Sequence, residues 1–172
     1  MTADERASIP VTLITGANRG IGFEVCRQLA REGMKVFLGA RGPEKAESAT
    51  HELPREGLDV VPRTVNVSKD QSVGGLADKL EEFGRLDVPL DNAGINFDFR
   101  QWTSNANLGM AHETMKTNLF GACRSSTRAS TVGSSTSRAR LAPPSLSREV
   151  WRVWREYSLS TRSLKQRSTR SP

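Results

Sequence analysis

The stretch TGANRGIG, residues 15–22, carries the spacing in this 172-residue chain that most directly implies chemistry. It follows a short apolar run, VTLIT at 11–15, and opens a segment with helical periodicity. Each glycine has a physical reason. Gly16 permits a tight turn, Gly20 keeps a side chain out of the way of a pyrophosphate, and Gly22 lets the helix pack near the strand. The helix start then presents free N–H groups and the positive end of its dipole to phosphate. The turn from Asn18, Arg19 and Gly20 to Ile21 and Gly22 therefore predicts dinucleotide binding. An ordinary strand–turn–helix corner built of small residues is the plainer alternative.

A second candidate lies at the end of KVFLGA, 35–40. A site that prefers NAD places an acid there to bind the ribose hydroxyls. Here the run ends in Ala40 and Arg41. Arg41 can pair with a 2′-phosphate, and Arg19 can assist it from the glycine turn. The alternative is a pair of solvated surface cations.

The elements that would position these groups alternate. Residues 11–15 read as a strand. Ile21, Val25 and Leu29 mark a helix that Gly33 ends, and 35–40 is a second strand. A polar helix runs from Pro43, suited to a first turn, to about Leu53. LDVVPRTVNV, 58–67, reads as a third strand, with Pro62 blurring its start. Ser68 and Gln71 are spaced as a capping box, and Val73, Leu76, Ala77, Leu80 and Phe83 share one helical face. LDVPLDNAG, 86–94, is a fourth strand and its exit turn, and 111–121 is another helix. The alternation predicts an α/β fold, a Rossmann-like doubly wound parallel sheet.

The composition changes along the chain. Residues 1–123 hold 14 Lys+Arg and 17 Asp+Glu, a net −3, whereas 124–172 hold 11 and 2, a net +9. The basic character thus belongs to the end of the chain. Cys26 and Cys123 are too few and too far apart for a disulfide framework or a metal site. The start lacks an apolar signal region and no run is apolar enough to span a membrane, so the expected setting is cytoplasmic.

The string TGANRGIG resembles the cofactor motif of the short-chain dehydrogenase/reductase family. DNAG at 91–94 resembles that family's NNAG motif, and TNLFG at 117–121 its helix motif around a catalytic Asn. MKTNLFG, together with GANRGIGFEV, is most similar to the carbonyl-reductase-like branch. The resemblance covers residues 11 to about 122. It implies hydride transfer between a nicotinamide and a carbonyl or alcohol carbon of a small molecule, with NADP(H) favoured over NAD(H) by Arg41 and Arg19. It also implies that Asn66 and Val67, ending the third strand, flank the adenine, and that Asn92, Ala93 and Gly94 line the ribose side. Asn118 would order a water relay. Asp91 departs from the pattern. So does Pro89, which removes a ladder donor and is expected to damage the sheet locally.

The same resemblance calls for a Ser on a following strand and a Tyr with a Lys four residues later, the Lys lowering the pKa of the Tyr. Tyr157 is the only tyrosine; Thr161 stands four residues on, and Lys165 eight. Residues 124–172 include 10 Arg and 13 Ser, with VWRVW at 150–154 as their one apolar cluster, which predicts a disordered tail. A one-base shift explains it. Back-translated with CGN arginine and TCN serine codons, TVGSSTSRA at 131–139 allows Gly-Arg-Ile-Val-Asn-Val-Ser-Ser. The same shift in SLSTRSLKQRSTRS at 158–171 allows Tyr-Ser-Val-Ser-Lys-Ala-Ala-Leu-Asn-Ala-Leu. Both resemble the family's missing motifs, in order and in one frame. The frame is therefore expected to slip near residues 122–124.

Residues 1–123 are thus expected to form the NADP(H)-binding portion, and 124–172 an out-of-frame tail. The expected function is an NADP(H)-dependent carbonyl reductase whose chain, as written, is inactive. Two alternatives stay open: a non-catalytic nucleotide-binding remnant, and a protein whose basic tail contacts nucleic acid or anionic surfaces. The tail shows no nucleic-acid module, so nucleic acid is the lesser expectation. Substrate and oligomeric state are not legible.

Overall fold

The structure, a computed structural model, describes residues 9–51, 53–96 and 107–132. Four strands, β1 (Val11–Ile14), β2 (Lys35–Ala40), β3 (Val60–Thr64) and β4 (Val88–Leu90), form one parallel sheet in the order β3-β2-β1-β4. Helices α1 (Gly20–Arg31), α2 (Pro43–Thr50) and α3 (Asp70–Phe83) fill the three crossovers, and α4 (Leu108–Asn118) and α5 (Phe120–Ala129) follow β4. The doubly wound α/β architecture is as the alternation predicts. The chain winds outward from β1 to β3 and then returns to the far side of β1. The carboxyl ends of β1 and β4 therefore flank the point where strand order reverses, the usual location of a ligand crevice in such sheets.

Both faces of the central strands β1 and β2 are covered, so these two are buried almost throughout rather than alternating, whereas β3 and β4 are only partly buried. On one face Ile14, Val36 and Leu38 pack with Val25, Cys26 and Leu29 of α1. On the other, Val11, Leu13 and Phe37 pack with Val73, Leu76 and Leu80 of α3. Thr12 is fully buried in β1, and its hydroxyl donates to the Val88 carbonyl at 2.6 Å, which satisfies it.

The buried stripe of α1 runs through Gly22, Val25, Cys26 and Leu29 and leaves Ile21, 43% exposed, at the helix mouth. Phe83 is likewise 44% exposed, although its ring meets that of Phe37 edge-on at 5.4 Å. The Ser68–Gln71 capping box does not form. Lys69 is the N-cap of α3, without a side-chain bond, and the Ser68 N–H and hydroxyl both donate to Asn66 Oδ1. The nearby Asn out-competes the helix for Ser68.

The two strand prolines are tolerated for one reason. Pro62 sits in β3, an edge strand, where a missing donor is cheap. Pro89 pairs with Leu13, and all three residues of β4 stay in register with β1. Thr15 N–H donates to the Leu90 carbonyl, so the alternation of a parallel ladder turns the donor position of Pro89 away from β1. The pairing with β1 therefore survives, contrary to the expected local damage.

Finally, the predicted single helix over 111–121 is two. It breaks at Leu119, and α5 continues through Ala129, six residues beyond Cys123. Arg124 donates to the Val67 carbonyl and pairs with Asp70. Ser125 and Ser126 donate to the two oxygens of Asp91, and Val132 is buried in the core. The first residues of the basic segment are thus attached to the sheet through the departure at Asp91. Residues 133–172 lie outside the described residues.

Candidate cofactor site

β1 delivers the glycine turn to the crevice. Gly16 has φ +65°, and a Cβ there would lie 2.6 Å from the Ala93 Cα. A Cβ on Gly22 would collide with the Asn92 side-chain nitrogen and lie 3.0 Å from Ala17 Cα. The two glycines therefore let the turn after β1 pack directly on the turn after β4. Gly20 differs: its φ is +62°, and nothing lies within 4 Å of a Cβ placed there. It faces open space, as a backbone that receives a ligand must.

Arg19 is the N-cap of α1, with extended backbone and no side-chain cap bond. The first N–H groups of α1 are thus left for an outside acceptor. This arrangement fits a pyrophosphate.

Asn92, Ala93 and Gly94 form the other wall. The Asn92 and Ala93 N–H groups donate to Thr15 Oγ1 at 3.1 Å, while Asn92 Nδ2 donates to the carbonyls of Thr15 and Gly16 at 3.0 and 3.1 Å. Asn118 then fixes the segment that follows. Its Oδ1 accepts from Ile95 N–H at 2.8 Å and its Nδ2 donates to the Ile95 carbonyl at 2.7 Å. Both ends of its carboxamide are used on one residue, so Asn118 acts on the exit of the turn at the point where α4 breaks.

At the end of β3, Asn66 Oδ1 is occupied by Ser68, which leaves the amide N–H groups as its available end. Val67 is 4% exposed, and its side chain packs where a Cβ on Gly121 would be 2.8 Å away. It belongs to the core beneath the site.

Arg19 and Asn18 line an open cleft with Lys45 and Ser48 of α2. Arg41 is exposed just before that helix. Among the described residues, Arg19, Arg41 and Lys45 have no ion-pair partner. Two unpaired cations line the cleft and a third, Arg41, stands two residues before α2, a set that suits a doubly charged phosphate. Lys45 is the residue that pattern reading misses; its only signal is the four-residue spacing from Arg41.

Burial pushes the Cys26 thiol up to about 12, whereas Cys123 is exposed on α5. Tyr157, Thr161 and Lys165 lie outside the described residues. No helix among the described residues is long and apolar enough to cross a membrane.

Residues 10–136 match the family model described as short chain dehydrogenase. Carbonyl reductase (NADPH) 1 of Mus musculus is 42% identical over 117 residues, 67% of this chain and 42% of that protein. The short-chain dehydrogenase anuI of Penicillium roqueforti is 39% identical over 65% of this chain and 45% of its own length. An actinorhodin polyketide ketoreductase solved with NADPH superposes with a TM-score of 0.69 at 30% identity, covering 77% of this chain and 49% of that one. A menthone neomenthol reductase from Mentha piperita gives 0.66 at 27% identity, covering 76% and 57%. The chain thus spans less than half the length of these two curated relatives. The glycine turn, the NAG wall and the Asn118 clamp lie within the matched span, and the chain belongs to the short chain dehydrogenase family.

Proposed function

We propose that the described residues form the NADP(H)-binding half of a carbonyl reductase, a site that holds the dinucleotide without completing the reaction. One observation carries this reading: the uncapped start of α1, with Gly20 open to solvent, stands beside a cleft lined by the unpaired Arg19 and Lys45. The α1 N–H groups would receive the pyrophosphate. Arg41, with Arg19 and Lys45, would receive the 2′-phosphate. Asn92 to Gly94 would line the ribose, and the Asn66 amide the adenine edge. The nicotinamide, when bound, supplies or accepts the hydride.

Proton delivery to a carbonyl oxygen needs an acid whose pKa is lowered by a neighbouring cation. Tyr157 with Thr161 four residues on does not provide that pair. A frame slip near residues 122–124 accounts for the missing groups. The cation-based preference is supported by relatives whose printed names carry NADPH.

The test is to sequence the gene and transcript through codons 115–172 and to express both versions. A single-base correction should restore the Ser and the Tyr-x-x-x-Lys motif. The corrected chain should consume NADPH with small aldehydes and ketones, and the chain as written should not. Turnover by the chain as written would contradict the reading.

A further inference from the structure

The cleft beside the glycine turn holds one charge that cofactor binding does not explain. Glu44 lines it together with Arg19 and Lys45. It is exposed in the first turn of α2, directly after Pro43, and has no ion-pair partner among the described residues. Glu24, Glu56 and Asp59 are matched to Arg27, Arg31 and Lys35, and the other unpaired exposed acids, such as Glu32, Asp78 and Glu81, do not line this cleft. Glu47, one turn further along α2, is also exposed but does not line the cleft. A carboxylate that shares a cleft with two cations, and contacts neither, acts through Coulomb's law on whatever anion the cleft receives.

We propose that Glu44 is a specificity-determining residue. It opposes the 2′-phosphate of an adenine dinucleotide and holds the preference for the phosphorylated form below what Arg19, Arg41 and Lys45 alone would give. This rests on the NADP(H) reading above. A phosphate monoester carries about −1.5 to −2 charges at pH 7, whereas a free ribose hydroxyl carries none, so beyond the 5′-phosphate group that both share, the added opposition falls on the 2′-phosphorylated nucleotide. Glu44 is solvated, so salt screens the effect over a Debye length of about 10 Å at 0.1 M.

The test is calorimetric titration of the full chain with 2′,5′-ADP and with 5′-AMP, probes that differ only in the 2′-phosphate. Glu44→Gln is compared with wild type and with Glu47→Gln, which makes the same charge change on the same helix outside the cleft. Glu44→Gln should tighten 2′,5′-ADP about fivefold at low salt, the effect of one charge pair at contact range in water. It should leave 5′-AMP within about twofold, and its gain should shrink at about 0.5 M salt. Glu47→Gln should move neither ligand by more than about twofold.

An unchanged affinity for 2′,5′-ADP in Glu44→Gln, an equal gain for both ligands, or an equal gain in Glu47→Gln would overturn the proposal while leaving the cofactor site standing. Failure of wild type and variant to bind either nucleotide would overturn the cofactor reading, and this inference with it.

Discussion

Asn92 donates two hydrogen bonds to Thr15: its N–H to the Thr15 hydroxyl at 3.1 Å and its Nδ2 to the Thr15 carbonyl at 3.0 Å. The hydroxyl also accepts from Ala93 N–H. One buried oxygen thus ties the glycine turn after β1 to the turn after β4. Thr15→Val keeps the shape and leaves two N–H groups without their acceptor. An unsatisfied buried donor costs about 1–3 kcal/mol. Urea denaturation should show a loss in that range, and NADPH affinity should fall with it. An unchanged midpoint would mean that the two turns do not depend on each other.

Gly20 and Gly22 separate ligand contact from packing. Gly22→Ala drives a methyl group into Asn92, so its main effect is on stability, of the order of 1–3 kcal/mol for an overpacked site. Gly20→Ala meets no protein atom, and its cost is the left-handed backbone, about 1 kcal/mol. Its main effect should be on nucleotide binding. Parallel thermal melts and NADPH titrations of the two variants check the split; equal losses of stability would contradict it.

The thiols give a check on packing that needs no cofactor. Cys26 is buried, with its pKa raised to about 12 by desolvation, so it stays a neutral thiol in the native protein at pH 8. Cys123 is exposed. A chromogenic disulfide reagent at pH 8 should titrate one thiol rapidly in native protein and two in denaturant. Two fast thiols in native protein would mean that α1 is not seated on the sheet.

The parts of this molecule legible in its sequence are those set by local chemistry. Glycines at 16, 20 and 22 after an apolar strand give the turn, and the alternation of periods gives the parallel sheet. Long-range contacts were not legible. Nothing near Gly22 announces that its neighbour is Asn92, seventy residues away in sequence. Nothing near Asp91 announces Ser125 and Ser126, so the attachment of α5 beyond Cys123 escaped a reading based on composition. The capping box failed because Asn66, outside the four-residue window, captured Ser68. Lys45 looked like one charge on a polar helix, and only the fold brings it beside Arg19. Pro89 looked damaging because the direction in which its missing N–H points depends on register.

Selectivity for the 2′-phosphate is decided by one titration. NADPH and NADH are titrated into the full chain and into Arg41→Ala, with the nicotinamide fluorescence as readout. Loss of a charge-assisted hydrogen bond of about 1.5–3 kcal/mol corresponds to roughly tenfold or more. Wild type should therefore bind NADPH more tightly than NADH, and Arg41→Ala should lose about tenfold for NADPH and little for NADH. Equal binding of the two nucleotides, or an equal loss for both in Arg41→Ala, would contradict the account.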